Sequence, residues 1–348
     1  MTDRRKFVKT ALLLTAAGSL PSGVSAIAPA RSGVSGRYAA VKSSRLLSDL
    51  SVLARIEGKD VLTEGPACDR NGICYFTHVR ASKILKWDPQ AQQVTTFSEN
   101  SNNTNGMYFD SQGRLLCCEG GSSARRITRR NVVTGEVEVL ADRYDGKPLA
   151  APNDICTDAK GRIYFTARGG VKELEGISPK AVYRIDLDGR LVRLLVEPEQ
   201  TQMPNGLIVS LDNKTLYVIE THPDADHHRD IRAFELSADG VLNNERLLID
   251  FYPGRSGDGM AIDARGNLYV AAGLHQTRGT SETLATRPGI HVISPVGKLL
   301  AFRETPEDIL TNCTFGGEDL RTLYVTCGPL LLSLRTAIPG AARYRPLA

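Results

Sequence analysis

The chain has 348 residues, 41% of them hydrophobic and 24% charged, which is enough apolar matter for a folded core and excludes wholesale disorder. Its 32 glycines and single tryptophan favour turn-rich β structure over helical bundles. The formal net charge is +4, and Arg4, Arg5, Lys6 and Lys9 against Asp3 place +3 of it in the first 30 residues, so the near-neutral remainder excludes a nucleic-acid binder that works by neutralising phosphates.

Residues 1–30 read as an export signal. The basic stretch Asp3-Arg4-Arg5-Lys6-Phe7-Val8-Lys9 precedes an apolar run from Ala11 to Ala17, and Val24-Ser25-Ala26 supplies small residues for cleavage. The run is shorter than the roughly 20 residues of a bilayer span. The adjacent arginines followed by Lys6 look like a twin-arginine signal, which delivers proteins already folded. The mature chain is therefore expected in the periplasm or outside the cell, with no stable membrane span; the alternative is a basic start before a membrane anchor. Replacing both Arg4 and Arg5 by Lys keeps the charge and is expected to block this delivery, and unchanged periplasmic arrival in a fractionation assay would remove the assignment. Residues 31–48 read as a flexible lead-in and residues 339–348 as a C-terminal tail.

Between them, over 49–338, one pattern recurs: a polar anchor with Gly, an apolar strand, a D-x-x-G-like turn and an aromatic strand. Glu64-Gly65-Pro66 leads to Asp69-Arg70-Asn71-Gly72, and Asn105-Gly106 to Asp110-Ser111-Gln112-Gly113. Asn153-Asp154 leads to Asp158-Ala159-Lys160-Gly161, Asn205-Gly206 to Leu211-Asp212-Asn213-Lys214, and Asp258-Gly259 to Asp263-Ala264-Arg265-Gly266. A sixth unit starts near Asn312 or Thr314. Steps of about 40–50 residues hold four short strands each, the dimensions of a propeller blade. The fold class is therefore all-β: a six-bladed β-propeller with four antiparallel strands per blade.

In a propeller the innermost strand of each blade borders the central channel. Because the anchor opens that strand in every unit, Glu64, Asn105, Asn153, Asn205, Asp258 and Asn312 or Thr314 converge at one mouth. Two carboxylates with several amide oxygens suit one hard divalent cation, calcium first, with zinc, manganese and magnesium as alternatives although zinc sites favour His or Cys. The competing reading is that Asn-Gly and Asp-Gly are turn formers and nothing more. Strand direction then places three long polar loops around that mouth: 167–179 with Arg168, Lys172 and Glu173; 221–230 with His222, Asp224, His227 and His228; and 273–288 with His275, Arg278, Glu282 and Arg287. Arg168, His222 and His275 are candidate substrate-binding residues on these loops. The seven cysteines form no CxxC pair and fall in apolar strand-like runs, so most read as core thiols, with room for one disulfide.

These residues resemble the gluconolactonase, senescence-marker-protein and luciferin-regenerating-enzyme family of six-bladed propellers, over about residues 50–335. The most specific pieces are Glu64-Gly65-Pro66, Pro152-Asn153-Asp154, Pro204-Asn205-Gly206-Leu207, Asp258-Gly259-Met260-Ala261-Ile262-Asp263 and Phe315-Gly316-Gly317. The resemblance implies one divalent cation, usually calcium, held by Glu64, Asn153, Asn205 and Asp258, with Asn105 facing bound ligand. It implies hydrolysis of a small-molecule lactone or ester, or of a phosphotriester as in some relatives. Asp258 is then the candidate catalytic residue, as ligand and as the group that orients or deprotonates water. The sugar-lactone members carry Arg two residues before the third-blade Asn, where this chain has Ala151. No G-x-S-x-G elbow is present, which disfavours a serine hydrolase. A non-catalytic ligand- or protein-binding propeller, and a synthase- or epimerase-like enzyme, stay open as alternatives.

Overall fold

The computed structural model describes residues 32–39, 41–122, 124–169, 175–196 and 200–341. The expected export signal, Lys172, Glu173 and the tail from 342 onward lie outside them. Six four-stranded antiparallel sheets account for nearly all the regular structure. Their innermost strands are Thr63–Cys68, Thr104–Phe109, Pro152–Thr157, Pro204–Val209, Gly257–Ile262 and Leu310–Gly316. Each packs on the next, and Leu310–Gly316 closes the ring against Thr63–Cys68.

The D-x-x-G turns explain why each blade begins as a hairpin. In the third, Asp158 Oδ1 accepts hydrogen bonds from the backbone N–H of Lys160 (2.9 Å) and Arg162 (3.0 Å), and Gly161 takes φ +90°, which a side chain would resist. Asp69, Asp110 and Asp263 do the same in their blades. The fourth blade substitutes Ser210, whose Oγ accepts from the Thr215 N–H at 2.9 Å, with Asn213 at φ +57°.

The sixth blade borrows its outermost strand from the other end of the chain. Ser51–Arg55 pairs antiparallel with Leu330–Arg335, so the N-terminal segment clasps the ring shut. The repeat pattern did not reveal this, because Ser51–Arg55 carries no anchor or turn signature. The lead-in expected to be flexible is also ordered where described: Ser32–Ala39 is an α-helix and Ser43–Arg45 a 3-10 turn. Tyr38 is buried against the fifth blade, its hydroxyl 2.9 Å from His291 Nε2 and accepting from the Arg287 N–H at 3.1 Å. One amphipathic aromatic ring thus docks a segment whose Ser, Gly and Ala content reads as a linker.

The core lies between neighbouring blades, where the second strand of every blade is buried on both faces almost throughout. All seven cysteines sit there as buried free thiols, with no disulfide formed. The central channel is lined by apolar groups such as Met107, Cys156, Ile208, Met260 and Phe315, and Ala341 borders it. The Ala341 N–H binds the Ile262 carbonyl, so part of the expected tail closes on the innermost strand of the fifth blade. No described helix is long and apolar enough to cross a membrane.

Candidate active site and metal centre

Every innermost strand breaks register with its neighbour at the anchor: between Glu64 and Ala67, Thr104 and Met107, Pro152 and Ile155, Pro204 and Leu207, Gly257 and Met260, and Leu310 and Asn312. A bulge re-aims a side chain out of the pleat, and six bulges at one level aim six side chains into one mouth. The residue after the anchor explains the spacing. A Cβ on Gly106 would lie 2.5 Å from the Asn153 carbonyl oxygen, and one on Gly206 would lie 2.5 Å from that of Asp258. Glycine is therefore required at 65, 106 and 206, where the anchor backbone meets that of the next blade.

Glu64, Asn205, Asp258 and Asn312 are buried at this mouth. Asp258 is gripped on both oxygens: Asn205 Nδ2 donates to Oδ1 at 2.6 Å and Arg255 Nη2 to Oδ2 at 2.5 Å. Glu64 Oε2 accepts from the Gly65 N–H at 3.0 Å. Asn312, rather than Thr314, is the sixth-blade member; its Nδ2 donates to Asp154 Oδ2 at 3.3 Å and its amide also reaches Glu64. Asn105 and Asn153 are half-buried, and neither side-chain amide bonds another described residue. Both are thus left to meet a ligand.

The electrostatics are those of crowded, buried carboxylates. Burial pushes the Glu64 carboxyl well above the usual carboxylate range, and the nearby charges of Asp258 and Asp154 push the same way. Burial raises Asp154 to about 7, opposed by hydrogen bonds from the Ile155 N–H and Asn312. Asp154 is buried at the third-blade position where other blades carry Gly65, Gly106, Gly206 or Gly259. That departure from the repeat was the signal by which it could have been found. Arg255 had none: the residues three before the other anchors, Val61, Asn102, Ala150, Gln202 and Ile309, are all uncharged.

Among the described residues no three His, Cys, Asp or Glu side chains form a ready metal cage. The donor set is instead mixed, with the carboxylates of Glu64 and Asp258 beside asparagine amides. Three buried carboxylates in one another's field, two of them driven toward the neutral form, fit a hard cation with oxygen preference. For Asn205 to be a ligand its amide must turn over, because Nδ2 now faces Asp258. In metal-stripped protein the raised Asp154 makes folding take up a proton between pH about 4 and about 7. Stability is fully present below that window and falls as pH rises through it. Asp154→Asn is expected to flatten that fall in melting temperature; an unchanged pH profile would place the titration elsewhere.

The loop candidates separate. Arg168 is half-buried and its guanidinium lies in the field of Asp258, Arg255, Glu64 and Glu220, so it belongs to the mouth. His222 is buried with its ring stacked on His227 at 3.8 Å, and its Nδ1 accepts from the Asp224 N–H at 3.2 Å. Burial first, then His227, lowers it to about 4, so it is neutral at pH 7. His275 Nε2 lies 2.6 Å from the Thr305 carbonyl oxygen, and its N–H donates to Asp308, which ties it to the 305–308 segment. Arg287 pairs with Glu304 and lies over the Tyr38 and Phe302 rings, a docking role. Glu282 faces Arg255 Nε at 3.9 Å.

Residues 62–328 match the model of the SMP-30/Gluconolactonase/LRE-like region. The chain belongs to this family. Within the SMP-30/gluconolactonase family it is 28% identical to a gluconolactonase of Zymomonas mobilis over 321 residues, covering 84% of this chain and 83% of that one. It is also 28% identical to regucalcin of Xenopus laevis over 267 residues, covering 74% and 80%. Among solved structures, a gluconolactonase from Xanthomonas campestris is similar at 29% identity and a TM-score of 0.67, covering 82% of this chain and 89% of that one. The span matched to the family holds all six anchors together with Asp154 and Arg255.

Proposed function

We propose that the protein is a lactonase that uses one divalent cation, calcium by preference, to open a small-molecule lactone with water. The observation that carries this reading is the ring itself: buried, partly neutralised carboxylates beside two asparagine amides with no partner among the described residues, at one mouth of a family propeller. Relatives named gluconolactonase support it. Glu64, Asp258, Asn205 and Asn153 would hold the ion. When bound, such an ion supplies Lewis acidity at the lactone carbonyl.

The remaining work falls to the chain. Asp258, fixed by Asn205 and Arg255, offers a carboxylate oxygen that orients the attacking water and can take its proton. Asn105 and Asn153 donate hydrogen bonds to the substrate and to the oxyanion of the tetrahedral intermediate. Export through residues 1–30 remains part of the proposal and would put this hydrolysis outside the cytoplasm.

Asn105→Ala separates substrate contact from metal holding. It is expected to leave calcium affinity near wild type in calorimetry while lowering kcat/KM by about 10²–10³ if the lost bond meets the oxyanion. A loss confined to KM would mark a ground-state contact. A large fall in calcium affinity would make Asn105 a ligand, and no change in either quantity would leave Asn105-Gly106 as a turn that only starts a strand. A panel of neutral and anionic lactones and esters assayed on the same samples tests the reaction class; calcium binding with no turnover of any of them would favour the binding propeller.

A further inference from the structure

The loops around the mouth hold two kinds of buried arginine. Arg229 is satisfied by the protein: Nε donates to the His222 carbonyl, Nη1 to that of Pro253, and Nη2 to that of Asp224 and to Ser281 Oγ. Arg278, further out, is committed to Asp308, whose carbonyl it meets at 2.9 Å. Arg255 differs. It is buried, its Nη2 meets Asp258, Glu282 stands off at 3.9 Å, and its Nη1 has no partner. Among the described residues this is the one buried guanidinium Nη so left. Arg168 adds a second guanidinium at the mouth that hydrogen-bonds no other described side chain and lies in the field of Arg255.

Two guanidiniums in one another's field repel, and the buried Arg255 Nη1 without an acceptor is costly, so the mouth favours an acceptor that arrives with the ligand. A neutral lactone offers only carbonyl and hydroxyl oxygens. A carboxylate or phosphate offers the planar pair of charged oxygens that a guanidinium fork matches. We propose that the substrate is a lactone carrying an anionic group, carboxylate or phosphate, seated between Arg255 and Arg168. This rests on the lactonase reading and names its substrate class.

The test compares full-length mature protein with calcium on glucono-1,5-lactone, which is neutral, glucaro-1,4-lactone, which bears a carboxylate, and 6-phosphoglucono-1,5-lactone. The expected result is a kcat/KM at least about tenfold higher for one of the anionic lactones, and the arm preferred names the group. Arg168→Gln and Arg255→Lys are each expected to cut that preference by about 10- to 100-fold, the worth of a charged hydrogen bond. Equal or better turnover of the neutral lactone would overturn the proposal and leave the lactonase reading standing. So would an Arg255→Lys defect equal on all three, which would assign the guanidinium to the oxyanion. In a parallel titration, D-glucarate is expected to bind protein holding one equivalent of calcium more tightly than D-gluconate, and Arg168→Gln to erase the difference. Glucarate preference without turnover of any lactone would keep the anion site and remove the hydrolase reading.

Discussion

Glu64→Gln is expected to stabilise the metal-free protein while abolishing its activity. The Glu64 carboxyl is buried, and both its burial and the charges of Asp258 and Asp154 oppose its ionisation. A neutral amide of the same shape keeps the Gly65 N–H partner and removes the repulsion, so the metal-stripped melting temperature should hold or rise at pH 8. The same change removes one negative charge from the ion's surroundings. Calcium affinity should fall by at least about 100-fold, beyond the 10–100-fold typical of losing a group one shell further out. Asp258→Asn should also lose calcium and activity, yet with the opposite effect on stability. It deprives buried Arg255 of the carboxylate 2.5 Å away, and breaking one side of a buried pair costs about 3–5 kcal/mol. Parallel melting curves and calorimetry separate the two. A Glu64→Gln protein that melts lower when metal-free and still binds calcium would show that Glu64 is a structural carboxyl.

Gly65→Ala is expected to be among the most damaging single methyls at the described glycines. Gly65 sits at φ +47° inside the first-blade bulge, and an added Cβ would fall on the carbonyl oxygen of Asn105. The obstacle is backbone of the neighbouring blade, which cannot swing aside as a flexible side chain could. Overpacking and a left-handed φ together cost about 2–5 kcal/mol, a large share of the 5–15 kcal/mol that holds a domain folded. Gly72→Ala is the control: it shares a positive φ of +83° but has open space around the new methyl, so it should cost only the backbone term. Thermal melts of the two variants measure the difference, and equal losses would mean that the blades do not pack as closely at the anchors as described.

Much of this architecture was legible because a propeller is periodic. The anchor, the D-x-x-G turn and the aromatic strand recur in sequence, and topology carries every copy to the same end of the channel. That logic brought Glu64, Asn105, Asn153, Asn205, Asp258 and Asn312 or Thr314 to one mouth, the family resemblance singled out Glu64, Asn153, Asn205 and Asp258 among them, and the bulges show how these anchors are turned inward. What escaped is what occurs once. Arg255 has no counterpart in other blades, and Asp154 hides in a dipeptide whose Asn drew the attention. Ser51–Arg55 pairs with a strand nearly the whole chain away, and Tyr38 docks a helix of otherwise linker-like composition. Loop polarity alone also could not tell Arg168, which joins the mouth, from His275, which binds the 305–308 segment.

The central claim is that the carboxylate and amide ring acts through one bound divalent cation. Its most direct test is elemental analysis of purified protein alongside lactone hydrolysis by the same sample, before chelation, after it, and on adding calcium back. The account predicts about one equivalent of divalent metal per chain, activity lost in step with the metal, and activity restored by calcium in wild type but not in Glu64→Gln. Full lactone turnover by protein that carries no divalent metal would contradict it.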